Sequence, residues 1–360
     1  MTSVRGGPAV IMGAGAVGSY VGGMLSAVGE DVILIDAWPS HVQAILEDGL
    51  VVETPEESIT ARPRALHVGE AQQLLQHSPS VAFLCVKLYD TNWATTLLAD
   101  VVPVAPIVTM QNALVEETVA RIAGWSRTLG VIAGTLDVSI IKPGHVRRSR
   151  RRGSANPVFK VGELSGRKTS RAKTITNLLA KVDTSKVTCE LWDDRWAKLV
   201  ANTATSGLSA VSGLSLIEVY RRDDTRRLAI HLAAEAFAVG GMLGFGLQPL
   251  FGASPERWLA AGQGDAEAVV DVMNAMAAQT ASMVAGGLSG TLQDLSKGRR
   301  TEVDYFNGYV AKRGKECGVD TQTHRSLADL IRRMERGEEH PSERNLLQLQ
   351  APGAGPRPGA

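Results

Sequence analysis

The chain has 360 residues, which is enough for two domains because single domains usually have about 100 to 200 residues. Its 38 basic and 37 acidic residues leave a formal net charge of +1, so no bulk charge attracts nucleic acid or a membrane surface. With 44% hydrophobic residues, the composition is that of a globular protein whose partners are small molecules or copies of itself.

The three cysteines, Cys85, Cys189 and Cys317, are widely spaced and odd in number, so they predict neither a disulfide framework nor a CxxC metal site. No apolar stretch reaches the roughly 18 residues needed to span a bilayer, and we find no signal-peptide pattern. No HExxH motif or His and Cys cluster is present, so no metal is expected. We therefore expect a cytoplasmic protein with no membrane or nucleic-acid partner.

The first elements along the chain are a strand, a tight turn, a helix and a second strand. An apolar run covers residues 9–12, a glycine-rich turn covers 13–18, a helical stretch continues to Gly29, and a second apolar run covers 31–36. Further strand-like runs follow, separated by amphipathic segments, at 81–86, 107–111 and 129–133. This alternation predicts a doubly wound, mostly parallel sheet.

The pattern changes in the middle of the chain. Between Ser139 and Glu163, Pro143-Gly144 separates β-rich segments that have no helix between them, which predicts a hairpin at the edge of the sheet. From about Thr188 onward, long segments have helical periodicity, at 193–209, 223–244, 265–285, 302–318 and 323–336. We therefore expect an α/β domain at 1–188, an all-α domain at 189–338, and a partly disordered tail at 339–360.

Gly13, Gly15 and Gly18 have Gly-x-Gly-x-x-Gly spacing directly after the first strand and at the start of the first helix. In this context the first glycine permits the tight turn, the second lets a pyrophosphate approach the backbone, and the third lets the helix lie close to the strand. The helix N-terminus donates N–H groups to phosphate. The sequence therefore predicts a dinucleotide-binding loop formed by Gly13, Ala14, Gly15, Ala16, Val17 and Gly18.

Asp36 ends the second strand, at the distance from the glycines where a carboxylate accepts hydrogen bonds from the ribose hydroxyls and repels a 2′-phosphate. The neighbouring Ala37, Trp38 and Pro39 supply no cation for such a phosphate. The sequence thus favours NAD, with NADP as the alternative. A simpler interpretation is that Asp36 only caps the strand end or the following helix.

Several further segments resemble the ketopantoate reductase family. They are Val86-Lys87-Leu88-Tyr89-Asp90-Thr91, Gln111-Asn112-Ala113, Glu116-Glu117, the run 196–202, Leu292-Gln293-Asp294 and the run 299–308. The resemblance covers roughly residues 9 to 335, and the run from Thr301 to Gly308 is its most specific part. It implies an α/β Rossmann N-terminal domain followed by an all-α C-terminal domain of the 6-phosphogluconate dehydrogenase-like type.

The resemblance also implies roles for individual residues. Lys198 matches the family's general acid, which protonates the substrate oxygen as hydride arrives from the nicotinamide. Glu302 matches the acid that holds the substrate hydroxyl and supports the lysine. Asn112 and Asn202 match amides that position cofactor and substrate, and Lys87 matches a lysine that lines the cleft. In the predicted secondary structure, Lys87 and Asn112 follow strands, and Lys198 and Asn202 share one helix face.

Each assignment has a simpler alternative. A lysine on an amphipathic helix is usually a solvated charge, Glu302 near Arg299 can be a surface ion pair, and Asn112 can shape a turn. One basic run also has two interpretations, because it either attracts an anionic substrate or is a solvated hairpin loop. We favour the loop for its members Arg147, Arg148, Arg150, Arg151 and Arg152.

The chain departs from the family at residues that contact cofactor or substrate. The positions that differ are Ser206 and Leu216 (Asn in the family), Gly290 (Ser), Ala113 (Gly) and Ala37 (Arg). Ser289 and Thr291 flank the altered position 290. The predicted substrate-binding residues are therefore Lys198, Asn202, Ser206, Ser289, Gly290 and Thr291.

The sequence predicts an NAD(P)-dependent oxidoreductase, with NAD favoured, that transfers hydride between nicotinamide C4 and a 2-keto or 2-hydroxy acid, with Lys198 as general acid or base. The departures from the family favour a substrate other than ketopantoate. One alternative is the authentic NADP-dependent 2-dehydropantoate 2-reductase reaction of pantothenate biosynthesis. Another is a non-catalytic redox sensor that binds NAD. We also expect a homodimer, because the helical half has apolar faces that can either pair subunits or fill a core. The residues concerned are Leu228, Ile230, Leu232, Ala236 and Val239.

Overall fold

The computed structural model describes residues 6–134, 136–153, 156–283 and 286–349. The chain divides into two compact units, Met1–Leu191 and Trp192–Ala360. The first unit combines strands and helices, and the second is helical. The disorder predicted for residues 351–360 lies outside the described residues.

Strands and helices alternate along the first unit. The strands are β1 (Ala9–Met12), β2 (Val32–Asp36), β3 (Leu50–Glu53), β4 (Ser58–Ala61), β5 (Arg64–His67), β6 (Val81–Leu84), β7 (Ile107–Thr109), β8 (Thr128–Ala133), β9 (Val138–Lys142), β10 (His145–Arg148), β11 (Phe159–Glu163) and β12 (Ser185–Thr188). The helices are α1 (Ala16–Ala27), α2 (Pro39–Asp48), α3 (Thr91–Val101), α4 (Glu116–Ala123) and α5 (Ser170–Leu179).

Eight of these strands form one sheet in the order β12-β11-β8-β7-β6-β1-β2-β5. Every neighbouring pair is parallel except β8 and β11. Ala9 and Ile11 pack into one hydrophobic cluster together with α1 and α5, whereas Val10 and Met12 pack into another together with α3 and α4. Because helices cover both faces, the central strands β1 and β6 are buried apolar runs. The doubly wound, mostly parallel sheet predicted from the sequence is confirmed.

A second sheet has four strands, in the order β4-β3-β10-β9. The predicted hairpin is present as the antiparallel pair β9 and β10, but its position at the edge of the large sheet is wrong. Instead β10 pairs in parallel with β3, with Val146 opposite Val52. The strand β11 returns to the large sheet beside β8. Local sequence predicts a turn at Pro143-Gly144, but it does not specify which distant strand the hairpin will pair with.

The second unit consists of helices joined by short connections. They are α6 (Leu191–Ser212), α7 (Leu216–Arg221), α8 (Asp223–Met242), α9 (Pro255–Gly262), α10 (Ala266–Gln279), α11 (Gly290–Ser296), α12 (Asn307–Cys317) and α13 (Gln322–Glu335). The five predicted helical segments correspond to α6, α8, α10, α12 and α13. Three further helices, α7, α9 and α11, were not predicted. They have 6, 8 and 7 residues, which is too short for a clear helical periodicity of apolar residues.

Close packing fixes α6 against α8. A Cβ at Gly240 would lie 2.1 Å from Nε1 of Trp196, so only glycine fits there. The Trp196 Nε1–H donates to the Ala236 carbonyl at 3.2 Å, and its ring stacks on Phe245 with 4.7 Å between centroids. This contact holds the turn of α6 that precedes Lys198.

The α8 residues that we considered for subunit pairing are at most 5% exposed within this single chain. That interpretation is wrong, because these side chains already fill the core of their own unit. A 3-10 segment at Glu343–Leu349, within the predicted tail, buries Leu346 and Leu349. None of the described helices has the length and apolar character needed to span a membrane.

Candidate active site

The glycine loop between β1 and α1 has the geometry that its spacing predicts. Gly13 has φ +97°, and a Cβ there would lie 2.7 Å from the Val86 nitrogen. At Gly18 a Cβ would lie 2.0 Å from the Gly13 carbonyl oxygen, so this glycine lets α1 approach the loop. Gly15 is exposed, and nothing lies within 4 Å of its Cβ position. The open backbone at Gly15 and the start of α1 fit a cofactor pyrophosphate.

Asp36 lies at the carboxyl end of β2 and is partly buried. Its Oδ1 accepts a hydrogen bond from the Trp38 N–H at 2.9 Å, in the turn that leads into α2, and α2 has no side-chain cap of its own. A carboxylate accepts about four hydrogen bonds in all, so this contact leaves capacity for ribose hydroxyls. Ala37 is exposed and carries no charge. The carboxylate therefore fits a ribose and opposes a 2′-phosphate.

Lys87 and Asn112 follow the adjacent parallel strands β6 and β7, and both are partly buried. Between them, the buried Gln111 Nε2 donates to the Val86 carbonyl at 3.0 Å and to Thr91 Oγ1 at 2.9 Å. This side chain ties the two strand ends together, a role that the sequence analysis missed.

Ala113 follows in a left-handed conformation, with φ +56°. The family has glycine here, and glycine adopts this conformation without the steric cost of a Cβ. That cost is of order 1 kcal/mol for alanine. The chain therefore holds the turn after Asn112 in a strained conformation.

In the second unit, Lys198, Asn202 and Ser206 form one stripe along α6. All three are partly buried, whereas their neighbours Leu199 and Thr203 are at most 1% exposed. The spacing of four residues places the three polar side chains on one face of the helix. We call these three residues the Lys198 stripe.

Burial and, to a smaller extent, repulsion from the Arg195 guanidinium together lower the pKa of Lys198 to about 7. Although part of the side chain is accessible, the surrounding atoms desolvate its ammonium group. Arg195 is 1% exposed and lies three positions earlier on α6. A lysine with this pKa gives up and regains a proton near neutral pH, as a general acid and base requires.

The three residues at 289–291 form the start of α11. Ser289 is 2% exposed, and its Oγ donates to the Ser206 carbonyl at 3.0 Å and accepts from the Leu292 N–H at 3.1 Å. The structure thus uses Ser289 as a helix cap beside the Lys198 stripe. Thr291 is 8% exposed, whereas Gly290 is exposed with no atom within 4 Å of its Cβ position. Of the three, Gly290 leaves the most open space.

Glu302 is partly buried and precedes the 3-10 turn Val303–Tyr305. Its neighbour Thr301 is 3% exposed and donates through N–H and Oγ1–H to one Glu335 oxygen, at 2.6 Å each. Asp304, on the other side, accepts from the guanidinium of Arg332 at 2.7 Å. The carboxylate of Glu302 therefore extends from a backbone segment that is fixed on both sides.

A buried polar cluster that the sequence analysis missed connects α6 with α12 and α13. The Asn307 Nδ2 donates to the Thr203 carbonyl at 3.0 Å and lies 3.1 Å from His324 Nδ1. The other ring nitrogen of His324 lies 2.8 Å from the Leu232 carbonyl. Burial lowers the pKa of His324 to about 4, partly opposed by that carbonyl. Asn307 belongs to the family-like run 301–308, which was the available signal.

The basic run does not form a solvated loop as we predicted. Arg148 is 1% exposed and pairs with Asp183 at 2.6 Å, because β10 directs it into the interior of the first unit. Arg147 pairs with Glu53 and Arg152 with Glu57, each at 2.9 Å. In the described part of the chain, no group of three or more His, Cys, Asp or Glu side chains is placed to hold a metal ion.

Two models of one protein family match most of the chain. The family model described as ketopantoate reductase PanE/ApbA matches residues 9–164, and the model of the C-terminal part of that family matches residues 190–335. The two-unit architecture and the matched segments define an NAD(P)-dependent oxidoreductase that acts on a CH–OH group or the corresponding ketone. The chain belongs to the ketopantoate reductase family, which confirms the resemblance found in the sequence.

The chain is 28% identical over 331 residues to a 2-dehydropantoate 2-reductase of Archaeoglobus fulgidus, covering 91% of this chain and 97% of that protein. It is 25% identical to the Pyrococcus horikoshii enzyme of the same name, covering 90% and 96%. Among solved structures, a ketopantoate reductase of this family from Ralstonia eutropha has a TM-score of 0.75 and 26% identity, covering 92% and 100%. A D-mandelate dehydrogenase has a TM-score of 0.76 and 20% identity, covering 92% and 99%, which shows a shared fold.

Proposed function

We propose that this oxidoreductase uses NAD to interconvert a 2-keto acid and its 2-hydroxy acid, with Lys198 as the general acid and base. The observation that supports it most directly is the Lys198 stripe, because it combines a lysine of pKa about 7 with two partly exposed polar side chains on one helix face. When bound, the nicotinamide supplies the hydride that adds to the carbonyl carbon.

In this proposal, the Lys198 ammonium donates a hydrogen bond to the substrate oxygen and transfers its proton as the alkoxide develops. The oxygen gains the proton, the carbonyl carbon gains the hydride, and Lys198 is left neutral. Asn202 orients the same oxygen from the next turn of α6, and Glu302 accepts from the hydroxyl of the product. Lys87 and Asn112, at the ends of β6 and β7, hold the cofactor together with the glycine loop.

The substrate that we propose differs from ketopantoate. Ser206 replaces an amide of the family with a shorter hydroxyl, and Gly290 replaces a hydroxyl with no side chain. Because nothing lies within 4 Å of the Gly290 Cβ position, this end of α11 accommodates a bulkier group than a serine would allow. We therefore expect a 2-keto acid with a larger apolar side chain to be preferred.

NAD is favoured over NADP by Asp36, whose charge would repel a 2′-phosphate, and by the uncharged Ala37 beside it. The solved D-mandelate dehydrogenase structures contain NADH, one of them together with anilino(oxo)acetate. They share the fold with this chain, and their ligands suggest NADH and aromatic acids as compounds for the test.

The test is a fluorescence titration with NADH and NADPH, followed by turnover of a panel of 2-keto acids that includes ketopantoate and aromatic 2-keto acids. We expect tighter binding of NADH and faster reduction of a bulky acid. Fast NADPH-dependent reduction of ketopantoate would instead establish the pantothenate reaction. NADH binding without turnover of any acid would favour the redox sensor.

The variant Asp36→Ala tests the cofactor assignment separately. Loss of the carboxylate removes both the ribose acceptor and the repulsion of phosphate, so the preference for NADH over NADPH should fall by about tenfold or more. An unchanged preference would mean that Asp36 serves only to stabilise the turn before α2.

We further infer a cytoplasmic homodimer. The free thiols of Cys85, Cys189 and Cys317 are suited to a reducing compartment, and exposed apolar side chains of the helical unit, such as Val270 and Met242, are available for a subunit contact. Light scattering coupled to size-exclusion chromatography tests the dimer, and a monomer at micromolar concentration would contradict it.

A further inference from the structure

A buried histidine on α2 connects the glycine loop to the second sheet. His41 is fully buried, and its Nδ1 lies 3.0 Å from the backbone nitrogen of Gly144, in the turn between β9 and β10. Its Nε2 lies 3.1 Å from Oγ of Ser19, which is also fully buried. The Ser19 hydroxyl donates to the carbonyl oxygen of Ala14 at 2.6 Å. We call these contacts the His41 hydrogen-bond chain.

The chemistry of the donors and acceptors determines which atom donates in each bond of the His41 hydrogen-bond chain. A backbone N–H only donates, so His41 Nδ1 must accept from Gly144 and carry no proton. The neutral ring then carries its proton on Nε2 and donates to Ser19, whose own hydrogen is used by Ala14. Burial lowers the pKa of His41, partly opposed by the negative charge of Asp36 and by a hydrogen bond to the Ala14 backbone, so the neutral form is favoured.

The His41 hydrogen-bond chain ends at the peptide group that joins Ala14 and Gly15. In a trans peptide the C=O and the N–H point in opposite directions. Ala14 is 2% exposed and its carbonyl points inward to Ser19, so the Gly15 N–H points outward, where the backbone is exposed. Gly15 is also the N-cap residue of α1, whose first N–H groups have no partner within the helix.

We propose that His41 is a positioning residue for cofactor binding. Through Ser19 it fixes the Ala14–Gly15 peptide so that the N–H of this peptide is directed at the cofactor phosphate. The proposal rests on the dinucleotide-binding role of the glycine loop, and it adds a residue outside the Gly-x-Gly-x-x-Gly motif to that site.

A second contact of His41 supports this role. The ring stacks on Trp38 with 5.2 Å between centroids and 11° between planes. Trp38 in turn donates its N–H to Asp36, the proposed ribose ligand. One buried ring therefore contacts residues that hydrogen-bond to both the glycine loop and Asp36.

Two substitutions of His41 separate positioning from packing. In His41→Gln the side-chain amide reaches the place of Nε2 and keeps a donor for Ser19, whereas in His41→Asn it reaches only the place of Nδ1 and keeps an acceptor for Gly144. Both lose one hydrogen bond and the aromatic ring, so we expect similar losses of thermal stability. His41→Asn and Ser19→Ala each remove the link through Ser19 between residue 41 and the Ala14 carbonyl, whereas His41→Gln keeps it.

The measurement is the NADH dissociation constant by fluorescence titration, or that for NADPH if it binds more tightly, together with the melting temperature by circular dichroism. We expect His41→Asn and Ser19→Ala to weaken binding about tenfold, as loss of one well-placed hydrogen bond would, while His41→Gln stays within about twofold of wild type. The double variant Ser19→Ala/His41→Asn should be no weaker than either single variant, because all three break the same chain.

The matched control is Ser209→Ala in the helical unit. Ser209 is also fully buried, and its Oγ donates at 2.7 Å to a carbonyl five residues away, that of Leu214. This variant should lose stability as Ser19→Ala does without any change in NADH affinity. If a His41 variant fails to fold, the pair Ser19→Ala and Ser209→Ala decides the question alone.

Equal weakening by His41→Gln and His41→Asn, in proportion to their stability loss, would overturn the proposal, and so would unchanged affinity in Ser19→Ala. A wild-type protein that binds NADH but reduces none of the keto acids would contradict the proposed reaction and leave this comparison valid. A wild-type protein that binds neither cofactor would contradict both.

Discussion

The glycine loop of the first unit and the Lys198 stripe of the second unit form their geometry in different ways. In the loop, the backbone forms the site. Gly13, Gly15 and Gly18 are required there because glycine has no side chain. In the stripe, side chains make the site, and their properties depend on what packs around α6, such as the buried Arg195 beside Lys198. The geometry of a backbone site can be predicted from the local spacing of glycines. The properties of a side-chain site, such as a shifted pKa, depend on the packing of the whole folded unit.

The same difference determines which substitutions each site tolerates. Adding a methyl group at Gly13 or Gly18 is the most damaging change in the loop, because other atoms occupy these two Cβ positions. Removing a charge or a buried polar group is the most damaging change around the stripe.

The largest expected effect is at Lys198. The variant Lys198→Met keeps the length of the side chain and removes the proton donor, so kcat should fall by about 10² to 10⁴ while NADH affinity is preserved. The control is Lys312→Met on α12, whose side chain is 74% exposed and should leave kcat unchanged. Comparable kcat values for Lys198→Met and wild type would contradict the assignment.

The pH dependence of turnover tests the same residue in the wild-type protein. Reduction requires the ammonium form, so kcat for reduction should fall by about tenfold per pH unit above the Lys198 pKa of about 7. Oxidation of the hydroxy acid requires the neutral amine and should rise over the same interval. The limb of the profile near pH 7 should be absent in Lys198→Met, and its persistence there would assign it to another group.

A smaller effect is expected on the stability of the helical unit. Burial lowers the pKa of His324 from 6.5 to about 4, so the unfolded state binds more protons between these values. The stability associated with neutral His324 is present above pH 6.5 and is lost as the pH falls toward 4, by roughly 3 kcal/mol in total. Urea unfolding followed by circular dichroism at several pH values measures this loss.

The variant His324→Asn keeps an acceptor for Asn307 but has no proton to gain in this interval. Its free energy of unfolding should therefore depend less on pH than that of wild type, although it is lower at pH 7. Parallel pH profiles for the two proteins would show that other groups are responsible.

The smallest effect expected concerns cofactor affinity at Gly15. A methyl group meets no protein atom there, so Gly15→Ala should keep the melting temperature of wild type, yet weaken NADH binding by about tenfold because it obstructs the approach of the pyrophosphate. Gly241→Ala, where the nearest atom is 3.8 Å from the Cβ position, is the control.

In contrast, Gly18→Ala should destabilise the first unit, since its Cβ would overlap the Gly13 carbonyl.

Much of the fold follows from the sequence because its signals are local. The run from Ala9 to Met12, the three glycines and Asp36 were predictable from spacing alone, and they lie at the expected points of the strand, turn, helix and strand. The family-like runs placed Lys198, Asn202 and Glu302 on or beside helices. These features need only short stretches of chain to be recognised.

The features that the sequence did not predict depend on distant contacts. The pairing of β10 with β3, the burial of Arg148 against Asp183, and the contact of Asn307 with His324 each join segments that are separated along the chain. Ser289 was predicted as a substrate ligand because it flanks the altered position 290. In the structure its hydroxyl caps α11. Whether a polar residue faces substrate or its own backbone is decided by packing.

The contact between His41 and Gly144 also affects the order in which the first unit forms during synthesis. The two residues are 103 positions apart, so the nascent chain exposes the glycine loop long before the β9–β10 turn exists. Such long-range contacts raise the contact order and slow folding, and domains complete folding only when their last partners have emerged from the ribosome. A chain truncated before β10 would therefore contain the complete glycine motif without the turn that orients it.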